Sequence, residues 1–197
     1  MNINNKGYTL TELLVSTVIF GIVLVSVFGF MLAGAKSYNK VNDRLEIQNQ
    51  SQMALNLIEE YVIDSVGGIY FDVNTLYILR APTTTTFEGV EVTSCVVDVF
   101  RLNKADHVLR YAEASAELEA LDEKTGISVY DLTLPEESKF YELTKDVQLF
   151  EVQMENDGDG IYTISAEITL GLKNRSADYE GTKKVALRNR PGLVTIS

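Results

Sequence analysis

Between Glu12 and Lys36 the chain carries no charged side chain. The run Leu13 to Ala35 is about 23 residues long and as a helix spans about 34 Å, enough to cross a hydrocarbon core of about 30 Å. Its residues are Leu, Val, Ile, Phe and Met with small ones interspersed. A membrane helix is the expectation. The rest of the 197 residues has room for one sizeable domain. The whole chain has 46% hydrophobic residues and three prolines, which suits an ordered protein rather than a disordered one.

Three conventional readings compete for the N-terminal segment. A secretory signal peptide is supported by Lys6 as a basic flank and Ala33-Gly34-Ala35 as a small-x-small cleavage site. Against it, the apolar run exceeds the usual h-region of about 7–15 residues. A plain single-pass anchor leaves Glu12 unexplained. A lipoprotein would need a cysteine just past the apolar stretch, and the only cysteine is Cys95.

The residues around Glu12 support a fourth reading. Lys6-Gly7-Tyr8-Thr9-Leu10-Thr11-Glu12-Leu13-Leu14 resembles the prepilin cleavage motif of type IV pilins and type II secretion pseudopilins. The resemblance implies a leader of residues 1–7, a cut between Gly7 and Tyr8, N-methylation of Tyr8, and Glu12 as the assembly glutamate. It implies as partners a prepilin peptidase, a membrane assembly platform, the lipid bilayer before assembly, and other pilins or pseudopilins in a filament. Tyr8 replaces the commoner phenylalanine, and Thr11 stands where an apolar residue is usual.

The spacing has its own chemistry. A carboxylate in a bilayer helix costs about 2.5–3.5 kcal/mol at the centre and less near the interface. A freed Tyr8 amine would be a counter-charge four residues from Glu12, on one helix face or supplied by a neighbour. Before cleavage that nitrogen is an amide. Gly21, Gly29 and Ala33 are candidate positions for close helix packing and flexibility, Gly29 and Ala33 forming a small-xxx-small pair. Lys36 and Lys40 follow the span, so a positive-inside count does not set the orientation. The resemblance puts the globular part outside the cytoplasm, anchored in the cytoplasmic membrane and later in a pilus or pseudopilus.

Past Lys36 apolar residues recur at helical spacing from Leu45 to Val66, and Gly67-Gly68 marks a stop. One helix is expected from Tyr8 to about Val66. Strand patterns follow at Thr75–Arg80, Thr93–Leu102, Val108–Ala112, Val147–Glu155, Tyr162–Leu172 and Lys183–Arg188, with hairpins at Asn103–Asp106 and Asn156–Gly160. Ala112–Lys124, rich in Ala, Glu and Leu, is expected as a short helix or ordered loop, and Thr83–Thr86 as an exposed loop. Glu136-Glu137 after Pro135 fits the first turn of a short helix. The expected class is α+β, a long helix packed on an antiparallel sheet domain. The segments are 1–7 leader, 8–35 membrane or filament-core helix, 36–66 its amphipathic half, and 67–197 the globular domain.

The net charge of −11 disfavours a bare nucleic-acid or anionic-membrane binder, since both need clustered cations. Cys95, in a strand pattern, is read as a buried thiol, and His107 as a turn residue on the surface. Asp157-Gly158-Asp159-Gly160 lacks the ligand spacing of an EF-hand loop and is read as a turn. No metal, cofactor or catalytic set is indicated. The C-terminal Val185-Ala186-Leu187-Arg188-Asn189 resembles PilW-like and J-type minor pilins. A structural subunit, minor rather than major, is therefore the expected function. The alternative is a secreted binding protein cut after Ala35.

Overall fold

The computed structural model describes residues 9–87, 90–121, 127–174 and 176–196. Two compact units divide the chain, one ending at Asp43 and the other beginning at Arg44. Helix α1 (Leu10–Ile63) begins in the first and ends in the second.

In the first unit the helix has no buried residue, and from Leu13 to Ala35 it is apolar on every side. Phe20, Phe28, Phe30 and Met31 are each more than 60% exposed. A helix with no polar face needs surroundings other than water.

In the second unit α1 acquires a stripe. Ile47, Ser51, Ala54, Leu55, Ile58 and Val62 are buried, spaced three or four apart as one helix face requires. The helix ends at Ile63, short of the expected Val66. Gly67 and Gly68 serve another purpose. A Cβ on Gly67 would lie 2.4 Å from the Arg80 carbonyl oxygen, and one on Gly68, at φ 133°, would lie 2.5 Å from Val194 Cγ1. Only glycine admits both that backbone and that approach.

Eleven strands follow among the described residues: β1 (Gly68–Asp72), β2 (Thr75–Leu79), β3 (Thr83–Phe87), β4 (Val90–Asn103), β5 (Val108–Leu121), β6 (Ser128–Thr133), β7 (Tyr141–Thr144), β8 (Val147–Asn156), β9 (Thr163–Lys173), β10 (Asp178–Ala186) and β11 (Val194–Ile196). A 3-10 turn at Glu137–Lys139 matches the expected short helix after Pro135. An eight-stranded sheet runs β1-β2-β4-β5-β6-β11, with β3 on β4 and β7 on β5. Its ends approach where Gly68 meets Val194, giving a near-barrel. A three-stranded sheet has the order β10-β9-β8.

One core lies between the second half of α1, the three-stranded sheet and one face of the larger sheet, centred on Ile58, Val62, Phe100, Phe150, Ile168 and Leu170. A second, inside the curl of the large sheet, holds Leu79, Cys95, Val97, Val99, Tyr130 and Val194. Each fully buried large side chain contributes about 1.5–3 kcal/mol relative to exposure.

The α+β class stands, and both expected hairpins form, as β4–β5 and β8–β9. Four expectations need correction. Ala112–Leu121 is neither helix nor loop but the second half of β5, with Ala112, Ala114 and Ala116 buried and Glu113, Ser115 and Glu117 exposed. Alternation at period two outweighs the helix propensity of Ala and Glu. Thr83–Thr86 is the edge strand β3, paired so that Thr84 faces Thr93 with hydroxyls 2.9 Å apart. The sheet is not purely antiparallel, because β11 runs parallel to β6. Lastly, the closing strand covers Asp178–Ala186 rather than Lys183–Arg188.

Candidate functional site

Helix α1 opens with a cap that the sequence reading missed. The Thr9 carbonyl accepts from the backbone N–H of Glu12 at 3.1 Å and of Leu13 at 3.2 Å. The Thr9 hydroxyl oxygen also accepts the Glu12 N–H at 3.3 Å. Thr9 is thus the N-cap and Glu12 the third helical residue, the Thr-x-x-Glu spacing of a capping box. That spacing was present in the sequence and would have located the helix start. A carboxylate in the first turn is favoured by the unsatisfied N–H groups there, typically by about 0.3–1 kcal/mol. Glu12 therefore has local support from the helix itself. The i, i+4 pairing argued from sequence involves Tyr8. Gly7 and Tyr8 lie outside the described residues.

Hydroxyls within the apolar run are satisfied by the helix. Ser16 donates to the Glu12 carbonyl at 2.8 Å, Thr17 to Leu14 at 2.8 Å, and Ser26 to Ile22 at 2.9 Å. In hydrocarbon each would otherwise carry the cost of an unmade hydrogen bond. A Cβ added at Gly21 or Gly29 would meet nothing within 4 Å, and α1 passes through both, and through Ala33, without interruption. These positions leave the helix surface open for close approach. Among the described residues α1 is the one helix long and apolar enough to cross a membrane, and none of its apolar window is buried. This is consistent with a membrane anchor.

The globular unit contains a polar cluster that the sequence did not reveal. Asp98 on β4 is 1% exposed. Arg80 grips it through Nε at 2.8 Å and Nη2 at 2.7 Å, and Nη2 also reaches Glu113 at 2.7 Å. The Tyr111 hydroxyl donates to Asp98 at 2.8 Å, and its ring packs against Phe100 and Tyr61. The Asp98 hydrogen bond pushes the Arg80 guanidinium well up. Burial first, then the hydrogen bond with Tyr61 and that with Asp98, push the Tyr111 hydroxyl up. Every member is satisfied, which is the behaviour of a structural ion pair rather than of an acid and base poised to exchange a proton.

Cys95 is buried as expected, and burial pushes its thiol up to about 11. A thiol so shielded is a poor nucleophile. His107 is exposed in the β4–β5 turn at φ 57°. Asp157 accepts from the N–H groups of Ile161 at 2.8 Å and Tyr162 at 3.1 Å, so its carboxylate serves the turn. Hydrogen bonding to the Tyr162 backbone, more than any other contact, holds its carboxyl below the ordinary range. Among the described residues no group of three or more His, Cys, Asp or Glu side chains is placed to hold a metal ion.

The family model described as the prokaryotic N-terminal methylation motif matches residues 2–28. Comparison with curated proteins and with solved structures found no match. The matched stretch contains the basic-Gly-aromatic sequence, the Thr9 cap, Glu12 and most of the apolar run. The chain thus carries a prepilin-type N-terminal methylation motif at the head of an apolar helix, consistent with membership of the type IV pilin and pseudopilin family.

Proposed function

We propose that the chain is a precursor cut between Gly7 and Tyr8, N-methylated on Tyr8, and assembled as a minor structural subunit of a type IV pilus or pseudopilus. Residues 1–7 are then the leader, 8–35 the membrane and filament-core helix, 36–66 its amphipathic half, and 67–197 the outward-facing domain. The observation that carries this reading is a single carboxylate, Glu12, in the first capped turn of a helix with no other charge before Lys36. In lipid that carboxylate needs a counter-charge, and cleavage creates one at the Tyr8 nitrogen. The pairing partner is a terminus in the packed filament, the subunit's own or a neighbour's, so processing licenses assembly. Gly21, Gly29 and Ala33 supply the small surface over which apolar helices close.

Two measurements test this. N-terminal sequencing of the mature protein should begin at N-methylated Tyr8. A start at Lys36 would favour the secreted alternative, although that cut would sever a helix continuous from Leu10 to Ile63. A start at Met1 would leave a simple anchor. Replacing Glu12 by Leu should leave the protein in the membrane but exclude it from sheared filaments. Normal incorporation of Glu12→Leu removes the assembly role of the carboxylate.

A further inference from the structure

The residues just past the apolar run form a second recognition element. Lys36 and Lys40 stand four apart, on one face of α1, and Tyr38 is on a different side between them. All three are exposed, Tyr38 to 72%. Among the described residues neither lysine takes part in an ion pair. They are the first charged side chains beyond the uncharged run.

We propose that Lys36 and Lys40 are a docking site for the phosphate headgroups of anionic phospholipids on the side of the membrane that faces the globular domain, with Tyr38 marking the same depth on the other side of the helix. The inference rests on the membrane-anchor part of the function proposed above. Dimensions support it. The apolar run from Leu13 ends at Ala35 after about 34 Å, slightly more than the hydrocarbon thickness of about 30 Å. The five residues from Lys36 to Lys40 cover about 7.5 Å of helix, close to the roughly 5–7 Å of headgroup layer on each side. An ammonium on a flexible stem reaches phosphate while its methylenes stay against acyl chains. A tyrosine ring at that depth keeps its body in the apolar boundary and its hydroxyl in the wet layer. Continuity with the span favours lipid over an acidic face of a second copy, because both lysines lie within the first two turns beyond the hydrocarbon. The site would also hold the helix at fixed depth, with Glu12 at the opposite boundary.

The test uses the full chain in vesicles of phosphatidylcholine containing phosphatidylglycerol, with spin-labelled versions of each lipid reporting which is retained at the protein boundary. A lysine near an anionic surface contributes about 1 kcal/mol, or about fivefold, so phosphatidylglycerol should be preferred severalfold at low salt. Lys36→Gln with Lys40→Gln should bring that preference close to parity, and raised salt should do the same to the unsubstituted chain. Lys6→Gln is the control for the other end of the helix. Equal retention of both lipids, a preference untouched by the double substitution, or one abolished by Lys6→Gln alone would each overturn the proposal. Resistance to alkaline extraction separates two failures. A chain that integrates without lipid preference loses only the docking site, and one that does not integrate loses the anchor as well.

Discussion

The two halves of α1 are one secondary structure specified in two ways. From Leu10 to Asp43 the helix is exposed almost throughout, and its hydrogen-bonding needs are met locally by the Thr9 cap and the hydroxyls of Ser16, Thr17 and Ser26. From Arg44 onward the same helix is held by one buried stripe against two sheets, and by polar links such as Lys183 to Glu59 and Asn56. A Cβ on Gly181 would lie 3.0 Å from Leu55 Cδ1, so helix and β10 approach as closely as glycine allows. Helical periodicity thus persists where its cause changes, from a medium that excludes water to side chains that interlock. Damage to one half should leave the other intact.

The largest effect should come from the core. Phe100→Ala removes a fully buried ring and should destabilise the globular unit by about 3–5 kcal/mol, read as lost near-ultraviolet dichroism on denaturant titration. Integration into membranes should be unchanged, and loss of both together would break the comparison. Alkali should discriminate next. Burial raises the thiol of Cys95, to about 11, and the hydroxyls of Tyr77, Tyr111 and Tyr130 above their ordinary values. A group with a raised folded pKa contributes stability below its unfolded pKa and loses it as pH rises through the folded one. Stability of the globular unit should therefore decline from about pH 9 upward, the ordinary thiol range, while the span, with no titratable side chain between Glu12 and Lys36, stays inserted. A flat stability profile to pH 11 would contradict the assigned burial.

Smaller effects sharpen the boundary at each end. Thr9→Val should cost the first turn about 1 kcal/mol, with Thr9→Ser restoring it, measured by amide exchange near the helix start. Equal protection in Thr9→Val and the parent would remove the cap. Val73, in the β1–β2 turn, sits at φ 51°, where a β-branched residue is strained. Val73→Gly should raise thermal stability slightly, by about 0.5–1 kcal/mol, with no effect on insertion.

Legibility in the sequence followed the range of the forces involved. The uncharged run and the two long hairpins repeat over short distances and were readable. The helical stripe was read only in part: Ala54, Ile58 and Val62 are buried as expected, but Leu45, Met53 and Val66 are exposed and Ile47, Ser51 and Leu55 complete the buried face. The second half of β5 was missed because Ala and Glu are helix formers, although Ala112, Ala114 and Ala116 already alternated with polar residues. Strands β1, β6, β7 and β11 escaped because short segments carry little period, and β11 finds its parallel partner far back in the chain. Glu12 stood out because a carboxylate beside lipid is costly. The Asp98 cluster did not, since it exists only once β2, β4 and β5 come into register, pairing Ile78 with Asp98 and Asp98 with Glu113.

The back-bonded hydroxyls of Ser16, Thr17 and Ser26 have a consequence for movement. A segment that carries its own hydrogen-bond partners can leave one greasy environment for another without breaking a polar contact on the way. Its transfer from lipid into a bundle of like helices is then governed by fit and by the single charge at Glu12. Such a step can run in either direction, because no hydrogen bond made in one environment has to be remade in the other.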